Sequence, residues 1–422
     1  MHKCSKNIAR VFKDDLLKHS AILFSGMAVV NVCNLLFQMT VSRALTAREY
    51  ALLTAFLGIL TIISLPLATL TTGLSHYSSL LRKNERTGDV RRLLRKWAFI
   101  AGSPAVVIAA AVILFNESIA GFFHLDRTAP VIIAGATLPA MFCLPIFTGA
   151  AQGLQLFGWT SISSIAGAVL RLALGAGLVF FWVPACGWAM VGHGGGIYLS
   201  AAVLFFVLIL FLRVGVSSGD ALPSMRFYLL QSFFIQTAYA ILMNADVILV
   251  KHFLPEETEF AYAATLGRTV AFIPSAIAVA MFPKVAAENN STAEHRRVFM
   301  QSFFYTALLV FAAVACCLIV PKLLLFILFG IRNASGSVIL LTRLMAVAMA
   351  FSALLNVVVQ FLLAQRRFFK AWLIVFFCIS YLFGVSFLHS SAMYIALFAF
   401  IFNFISLIAL LVTIIKQEKR DE

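Results

Sequence analysis

The stretch MRFYLLQSFFIQTAYAILMNADVILV, residues 225 to 250, carries the features on which the fold prediction depends. As a helix it is long enough to cross a hydrocarbon core of about 30 Å. Only Arg226 and Asp246 carry full charges in it. A charge at mid-bilayer costs about 2.5–3.5 kcal/mol on insertion scales, so Asp246 is expected to face protein or water. The stretch therefore predicts a membrane helix with one polar face.

Similar apolar segments occur along the whole chain, which is 62% apolar and only 12% charged. No soluble fold hides this much apolar surface. We predict an all-α, polytopic integral membrane protein with about twelve membrane-spanning helices. The predicted spans are residues 18–42, 49–74, 97–115, 128–150, 160–183, 189–213, 225–250, 260–283, 299–320, 336–364, 371–388 and 393–415.

The basic residues predict the orientation of these spans. With the N-terminus in the cytoplasm, 23 Lys and Arg residues fall on the inside and six on the outside. An excess of basic residues in cytoplasmic loops sets membrane topology. Both termini are therefore predicted to be cytoplasmic, as segments 1–17 and 416–422.

A polar linker at residues 214–224 divides the chain into two lobes of six spans each, residues 18–213 and 225–415. Internal repetition supports this division, because Glu49 and Glu259 follow the first span of each half at a spacing of 210 residues, as do Asn34 and Asn244 within it. Two lobes of the same topology are related by an axis along the membrane normal and enclose a central cavity.

Several functions are not expected. The net charge of +15 is spread over loops between apolar runs, which favours membrane topology over nucleic-acid binding. No GxxxxGK[ST] loop and no clustered metal ligands occur, so neither ATP hydrolysis, a metal site nor a catalytic residue is predicted. The run Gly192-His193-Gly194-Gly195-Gly196 is interpreted as close helix packing.

The charged residues inside spans are the candidate site. Gln236 and Tyr239 share the helical face of Asp246, which predicts a polar stripe toward the cavity. Arg268 is its expected partner, and two interpretations stay open: a structural ion pair, or an Arg268 that binds an anionic group such as pyrophosphate. The other two embedded cations are Arg171 and Arg343. For each, the alternative to substrate contact is a structural or snorkelling role.

Asn31, Asn34 and Gln38 form an amide stripe on the first span, at positions i, i+3 and i+7. Amides suit sugar hydroxyls as ligands. They equally suit hydrogen bonds between helices. Both interpretations stay open.

Two stretches resemble a known family. These are SRALTAREYALL at residues 42–53 and NADVILVKHFLPEETEFAYAATLGRTVAFIPSAIAVAMFPKVA at residues 244–286. Together with the two six-span lobes, they resemble the polysaccharide transporter family, the Wzx-type oligosaccharide flippases, whose wider superfamily includes multidrug exporters and lipid II flippases. By position, Asp246 and Arg268 match embedded charges of that family, Arg171 its first-lobe Arg, and Arg43 the Arg that closes the first span.

The resemblance implies a bacterial inner-membrane transporter. It would flip undecaprenyl-diphosphate-linked oligosaccharide by alternating access for surface polysaccharide assembly. No cofactor is implied, and a proton or a sodium ion is the candidate coupling ion. Membrane lipids and other polysaccharide assembly proteins are the further candidate partners. The alternatives are a multidrug or small-solute exporter of the same superfamily and a membrane-embedded glycan polymerase or ligase.

Overall fold

The computed structural model is built from helices, and the residues that it describes contain no β-strand. These are residues 15–213, 226–272 and 292–421, with a few isolated positions between 273 and 285. The predicted linker 214–224 and residues 1–14 of the predicted N-terminal segment lie outside the described residues. Apolar stretches form helices in lipid because a helix satisfies its own backbone hydrogen bonds, which lipid cannot do.

The part before the linker contains eight α-helices and one π-helix among its described residues. They are α1 Asp15–Ala44, α2 Ala47–Lys83, α3 Thr87–Leu114, α4 Asn116–Phe122, α5 Ala129–Gly153, α6 Phe157–Leu170, the π-helix Arg171–Ala176, α7 Gly177–Phe181 and α8 Cys186–Phe211. The segments α6, π-helix and α7 follow one another without a break and form one apolar span, Phe157–Phe181.

The helices after the linker continue the same numbering. They are α9 Arg226–Phe253, α10 Phe260–Phe272, α11 Thr292–Ile319, α12 Pro321–Phe329, α13 Gly336–Ala364, α14 Phe368–Ala371, α15 Leu373–Phe387 and α16 Ala392–Asp421. The helix α16 runs through most of the predicted tail 416–422 instead of ending before it.

Eleven helices in the described part of the chain are long and apolar enough to cross a membrane. Their outer faces carry large apolar side chains, such as Phe99 and Phe311, each 74% exposed. The eighth predicted span, 260–283, is helical over Phe260–Phe272, and most of its remainder lies outside the described residues. The chain is therefore an all-α, multi-pass membrane protein.

The described residues form two compact units, and α2 belongs to both of them. One unit contains Met1–Leu45 and Leu67–Met225, and the other contains Thr46–Pro66 and Arg226–Glu422. The first part of α2 thus groups with the second half of the chain, which a division by sequence order does not anticipate. The boundary falls at Pro66, a residue inside the helix that lacks a backbone N–H.

Tyr50 attaches the first part of α2 to the second unit. Its ring is fully buried and stacks on Tyr262 of α10, with 4.8 Å between ring centroids. Phe329 at the end of α12 packs against both rings, and the Tyr50 hydroxyl donates to Thr265 Oγ1 at 3.1 Å. Aromatic pairs of this kind contribute about 0.5–1.5 kcal/mol beyond the area that they bury. We call Tyr50, Tyr262 and Phe329 the aromatic cluster.

The two units repeat one turn. The backbone N–H of Gln155, after α5, donates to Gln152 O, and that of Arg366, after α13, donates to Leu363 O. Both turn residues have a positive φ, 61° for Gln155 and 56° for Arg366. Their spacing of 211 residues is close to the 210 residues between Glu49 and Glu259. The repetition seen in the sequence is therefore present in the backbone at this turn.

Candidate functional site

Asp246 of α9 and Arg268 of α10 form an ion pair inside the second unit. Arg268 Nη2 donates to Asp246 Oδ1, and Arg268 Nε donates to the carbonyl oxygen of Met243 at 3.3 Å. Both side chains are buried. The turn between α9 and α10 reverses the chain and so brings together two charges 22 residues apart in sequence. The partner expected from the sequence is therefore the one observed.

Three buried oxygen atoms near this pair have no hydrogen-bond partner among the described residues: Asp246 Oδ2, Tyr381 Oη and Asn403 Oδ1. Tyr381 is fully buried and lies on α15, which packs against α9. Asn403 lies on α16 and donates through Nδ2 to the carbonyl oxygens of Ala399 and Leu242. Unpartnered buried oxygens carry a desolvation cost of about 1–3 kcal/mol each, which a cation, a proton or a water molecule relieves.

Sequence reasoning missed Tyr381 and Asn403. Each lies in a mainly apolar run, IS-Tyr381-LF and IF-Asn403-FI, in which the polar neighbours are single serines, Ser380 before Tyr381 and Ser406 three residues after Asn403. Polarity inside a predicted span is the one signal that would have identified them.

The predicted polar stripe on α9 is buried in helix packing. The Tyr239 hydroxyl donates to the carbonyl oxygen of Ser352 on α13 at 3.3 Å, and Gln236 is buried one turn earlier. A hydroxyl that reaches a backbone carbonyl on the next helix joins the two helices. Tyr239 therefore has a structural partner in this state of the protein.

Arg171 occupies a second candidate site, in the first unit. Its Nη1 donates to Asn34 Oδ1 on α1 at 3.1 Å, and its guanidinium carbon lies 4.3 Å from the centre of the Phe37 ring. Its Nε is buried without a partner, and no ion pair reaches Arg171 from the described residues. Arg171 also begins the π-helix, a form that occurs often at functional sites.

The remaining sequence-predicted residues differ in their exposure. Gln38 lies one turn after Asn34, and its Oε1 is buried without a partner in the described structure. Asn31, Arg43 and Arg343 are exposed. The structure thus brings together Asp246 with Arg268 and Arg171 with Asn34. No hydrogen bond or ion pair in the described part of the chain joins Arg343 to either pair.

Glycines let α8 contact the π-helix backbone to backbone. A Cβ atom added at Gly192 would lie 2.3 Å from the Cα of Gly175 and 2.9 Å from the carbonyl oxygen of Arg171. One added at Gly196 would lie 2.5 Å from the carbonyl oxygen of Gly167. Small residues allow such close approach between membrane helices. The packing interpretation of this glycine run therefore fits the observed contacts.

Gly192→Ala is expected to destabilise the first unit by about 1–3 kcal/mol, because backbone atoms must move to admit the methyl group. The melting temperature of the purified protein in detergent measures this loss. Gly195→Ala is the matched control, since its added Cβ would meet two side-chain methyl groups at ordinary contact distance, Leu174 Cδ1 at 3.5 Å and Leu170 Cδ2 at 4.0 Å. Equal melting temperatures for the two variants would contradict the close contact.

Within the described residues, no group of three or more His, Cys, Asp or Glu side chains is arranged to hold a metal ion. The two sites differ in charge. Among the described residues, the second unit has a carboxylate oxygen without a hydrogen-bond partner, Asp246 Oδ2, whereas the first has a guanidinium N–H group without one, at Arg171 Nε.

No protein-family model and no curated protein sequence matches the chain. Solved structures do match. An inward-facing multidrug resistance MATE family transporter of the MOP superfamily has a TM-score of 0.70 over 92% of this chain and 96% of that chain, at 13% identity. The MATE multidrug transporter DinF-BH has a TM-score of 0.69 over 94% of each chain, at 17% identity. An outward-facing MATE family transporter has a TM-score of 0.62 over 95% of each chain, at 16% identity.

These likenesses extend over nearly the whole of each chain. The chain therefore has the fold of MATE transporters, and the predicted all-α, polytopic fold is confirmed. Its structural neighbours are transporters of one superfamily.

Proposed function

We propose that this chain is a secondary transporter that moves undecaprenyl-diphosphate-linked oligosaccharide across the bacterial inner membrane by alternating access. It would supply the assembly of a surface polysaccharide such as O-antigen, lipopolysaccharide or exopolysaccharide. The exporter fold supports the transport role. The resemblance of residues 244–286 to oligosaccharide flippases supports a lipid-linked glycan as the cargo.

The observation that carries this proposal is the charge of Arg171. A guanidinium inside a membrane helix is costly unless an opposite charge or hydrated surroundings compensate it. Asn34 and Phe37 contact Arg171, but neither is an anion. An anionic cargo such as a diphosphate would supply the missing charge during transport.

The unpartnered Oδ2 of Asp246 supports ion coupling at the second site. A proton or a sodium ion bound there would change the net charge of the Asp246–Arg268 pair. A bound ion favours whichever conformation holds it more tightly, which is how a gradient drives alternating access. The ion pair between Arg268 and the carboxylate would then weaken when the ion binds.

A multidrug exporter is the second candidate, and the fold fits it equally well. The structural neighbours above are multidrug transporters by their descriptions. In that case the spare carboxylate oxygen of Asp246 would attract cationic drugs directly. A glycan polymerase or ligase is the alternative from another class of protein.

The expected result of deleting the gene is accumulation of lipid-linked oligosaccharide on the inner face of the membrane, with loss of surface glycan. An impermeant enzyme that modifies sugars only at the outer face measures the sidedness. Accumulation of single repeat units on the outer face would instead indicate a polymerase or ligase. Unchanged glycan export together with sensitivity to cationic drugs would replace the flippase by the multidrug exporter.

A further inference from the structure

The turn after α13 repeats the backbone of the turn after α5 but carries different side chains. Residues 366–370 read RRFFK, whereas the corresponding residues 155–159 of the first unit read QLFGW. Both turns begin with a residue of positive φ, Arg366 and Gln155. Both also lie on the predicted cytoplasmic side. Since the first turn forms there without a charge, neither the backbone nor the orientation of the spans explains the three basic residues of the second turn.

Aromatic side chains attach this second turn to α9. The Phe368 ring packs edge-on against the ring of Tyr228, with 5.7 Å between the ring centroids. Trp372 Nε1 donates to Gln231 Oε1 at 2.5 Å, about one helical turn further along α9. The Trp372 ring also packs against Phe234, with 5.9 Å between the ring centroids. The turn is therefore fixed to α9 at two points.

A contact with α16 also fixes this turn. Lys370 Nζ donates to the carbonyl oxygen of Thr413 at 3.3 Å. Phe369, which lies between the residues that make these contacts, is 95% exposed. No other large apolar side chain in the described part of the chain is as exposed. Phe369 thus lies outside the protein on a turn that is held in place.

This turn lies between two segments that are long and apolar enough to cross the membrane, Gly336–Ala364 and Phe368–Phe387. It is therefore at the level where the hydrocarbon core meets the headgroups, which is where interfacial segments bury their apolar rings. Arg366 is exposed and Arg367 is half-buried, and no ion pair from the described residues reaches either guanidinium. An exposed aromatic ring and two uncompensated cations thus lie at one level of the membrane.

We propose that residues 366–372, the basic turn, bind an anionic phospholipid of the surrounding bilayer. Arg366 and Arg367 contact the headgroup phosphate, because a guanidinium can donate to two of its oxygen atoms at once. Phe369 lies among the upper parts of the acyl chains. A zwitterionic lipid binds less tightly, since its ammonium group repels the two arginines. The bound lipid is a neighbour of the second unit and not the cargo, so this proposal goes beyond the proposed transport function.

Two tryptophans report on the lipid beside the two turns. Trp372 belongs to the basic turn, and Trp159 lies in the corresponding turn of the first unit. One variant keeps Trp372 and the other keeps Trp159, and both carry Trp182→Phe and Trp188→Phe and retain the buried Trp97 as a common background. The full-length variants are reconstituted into phosphatidylcholine vesicles that contain brominated phosphatidylglycerol or brominated phosphatidylcholine. Bromine quenches tryptophan fluorescence only at short range, so the ratio of the two quenching constants measures which lipid lies beside each turn.

At Trp372 we expect phosphatidylglycerol to be preferred about fivefold, the effect of one basic residue near an anionic lipid surface. At Trp159 we expect no preference. Arg366→Gln combined with Arg367→Gln is expected to abolish the preference at Trp372, whereas Arg366→Lys combined with Arg367→Lys keeps the charges and most of the preference. A higher salt concentration should weaken the preference, because ions screen charges at the membrane surface. Equal ratios at the two tryptophans, or a preference that survives the double Gln substitution, would overturn the proposal.

Phe369→Trp tests the position of the exposed ring, in a chain whose other tryptophans except the buried Trp97 are changed to Phe. Emission at the short wavelengths of apolar surroundings is expected, with strong quenching by brominated phosphatidylglycerol. Emission typical of water, without quenching, would exclude lipid as the occupant and leave a protein partner for the exposed ring. Melting temperatures in detergent identify any variant that does not fold. None of these measurements involves cargo, so their outcome is independent of the proposed transport of lipid-linked oligosaccharide.

Discussion

Replacing Asp246 with Asn is expected to abolish transport and to leave the chain inserted in the membrane. The substitution keeps the size of the side chain but removes the charge that Arg268 meets and the acidic oxygen Oδ2. Arg268→Ala is expected to have the same consequence for transport. Removing one partner of a buried ion pair costs about 3–5 kcal/mol, because the other charge is left uncompensated. Transport of labelled lipid-linked oligosaccharide into the interior of inverted vesicles measures the loss.

A double variant separates two roles of Asp246. If the carboxylate only balances Arg268, then Asp246→Asn combined with Arg268→Gln removes both charges and is expected to restore transport. If Asp246 also binds the coupling ion, the double variant stays inactive although it folds. Glu117→Gln, an exposed acid-to-amide change, is the matched control and is expected to transport normally. Normal transport by both single variants would rule out the site assignment.

Tyr50→Ala is expected to destabilise the protein by about 3–5 kcal/mol, the range for truncating a large buried aromatic side chain. Tyr50 is fully buried and contacts both other members of the aromatic cluster. Its truncation therefore leaves a cavity that the surrounding helices can fill only by moving. The melting temperature of the purified protein is the measurement. The change should also free the first part of α2 from the second unit, which raises its cleavage by protease at Arg48.

Two further variants provide a comparison for the loss of stability expected of Tyr50→Ala. Tyr50→Phe keeps the ring and loses only the hydrogen bond to Thr265, so a loss of about 1 kcal/mol is expected. Tyr394→Ala truncates a tyrosine of the same unit that is 50% exposed, and a much smaller change is expected. If Tyr50→Ala melts at the temperature of the Tyr394→Ala variant, the aromatic cluster does not hold α2.

The helices and the Asp246–Arg268 pair follow from the sequence for simple reasons. Long apolar runs in lipid have no alternative to the helix. Two opposite charges, embedded in successive spans and joined by the short turn LPEET, also have few other partners within reach. In both cases the free-energy cost of an unpartnered polar or charged group in lipid determines the structure. Such groups can be identified directly in the sequence.

Other features depend on packing that no local pattern records. The π-helix at Arg171 occurs where Gly175 meets Gly192, two residues on different helices. Tyr381 and Asn403 join the second site because α15 and α16 both pack against α9. Hydropathy also predicts that the second span ends at residue 74, whereas α2 continues to Lys83, since a helix outside hydrocarbon needs no apolar surface.

The assignment of residues 46–66 to the second unit also affects how the protein is made. Tyr262 is synthesised 212 residues after Tyr50, which corresponds to a delay of roughly 10–40 s at about 5–20 residues per second on the ribosome. During that interval the first part of α2 is already inserted in the bilayer while the helix to which it attaches does not yet exist. Its aromatic ring is therefore exposed to lipid first and to protein later. A nascent chain that ends at residue 225 contains the first part of α2 but lacks the helices against which it packs. Such a fragment is expected to be a preferred substrate for membrane quality-control proteases.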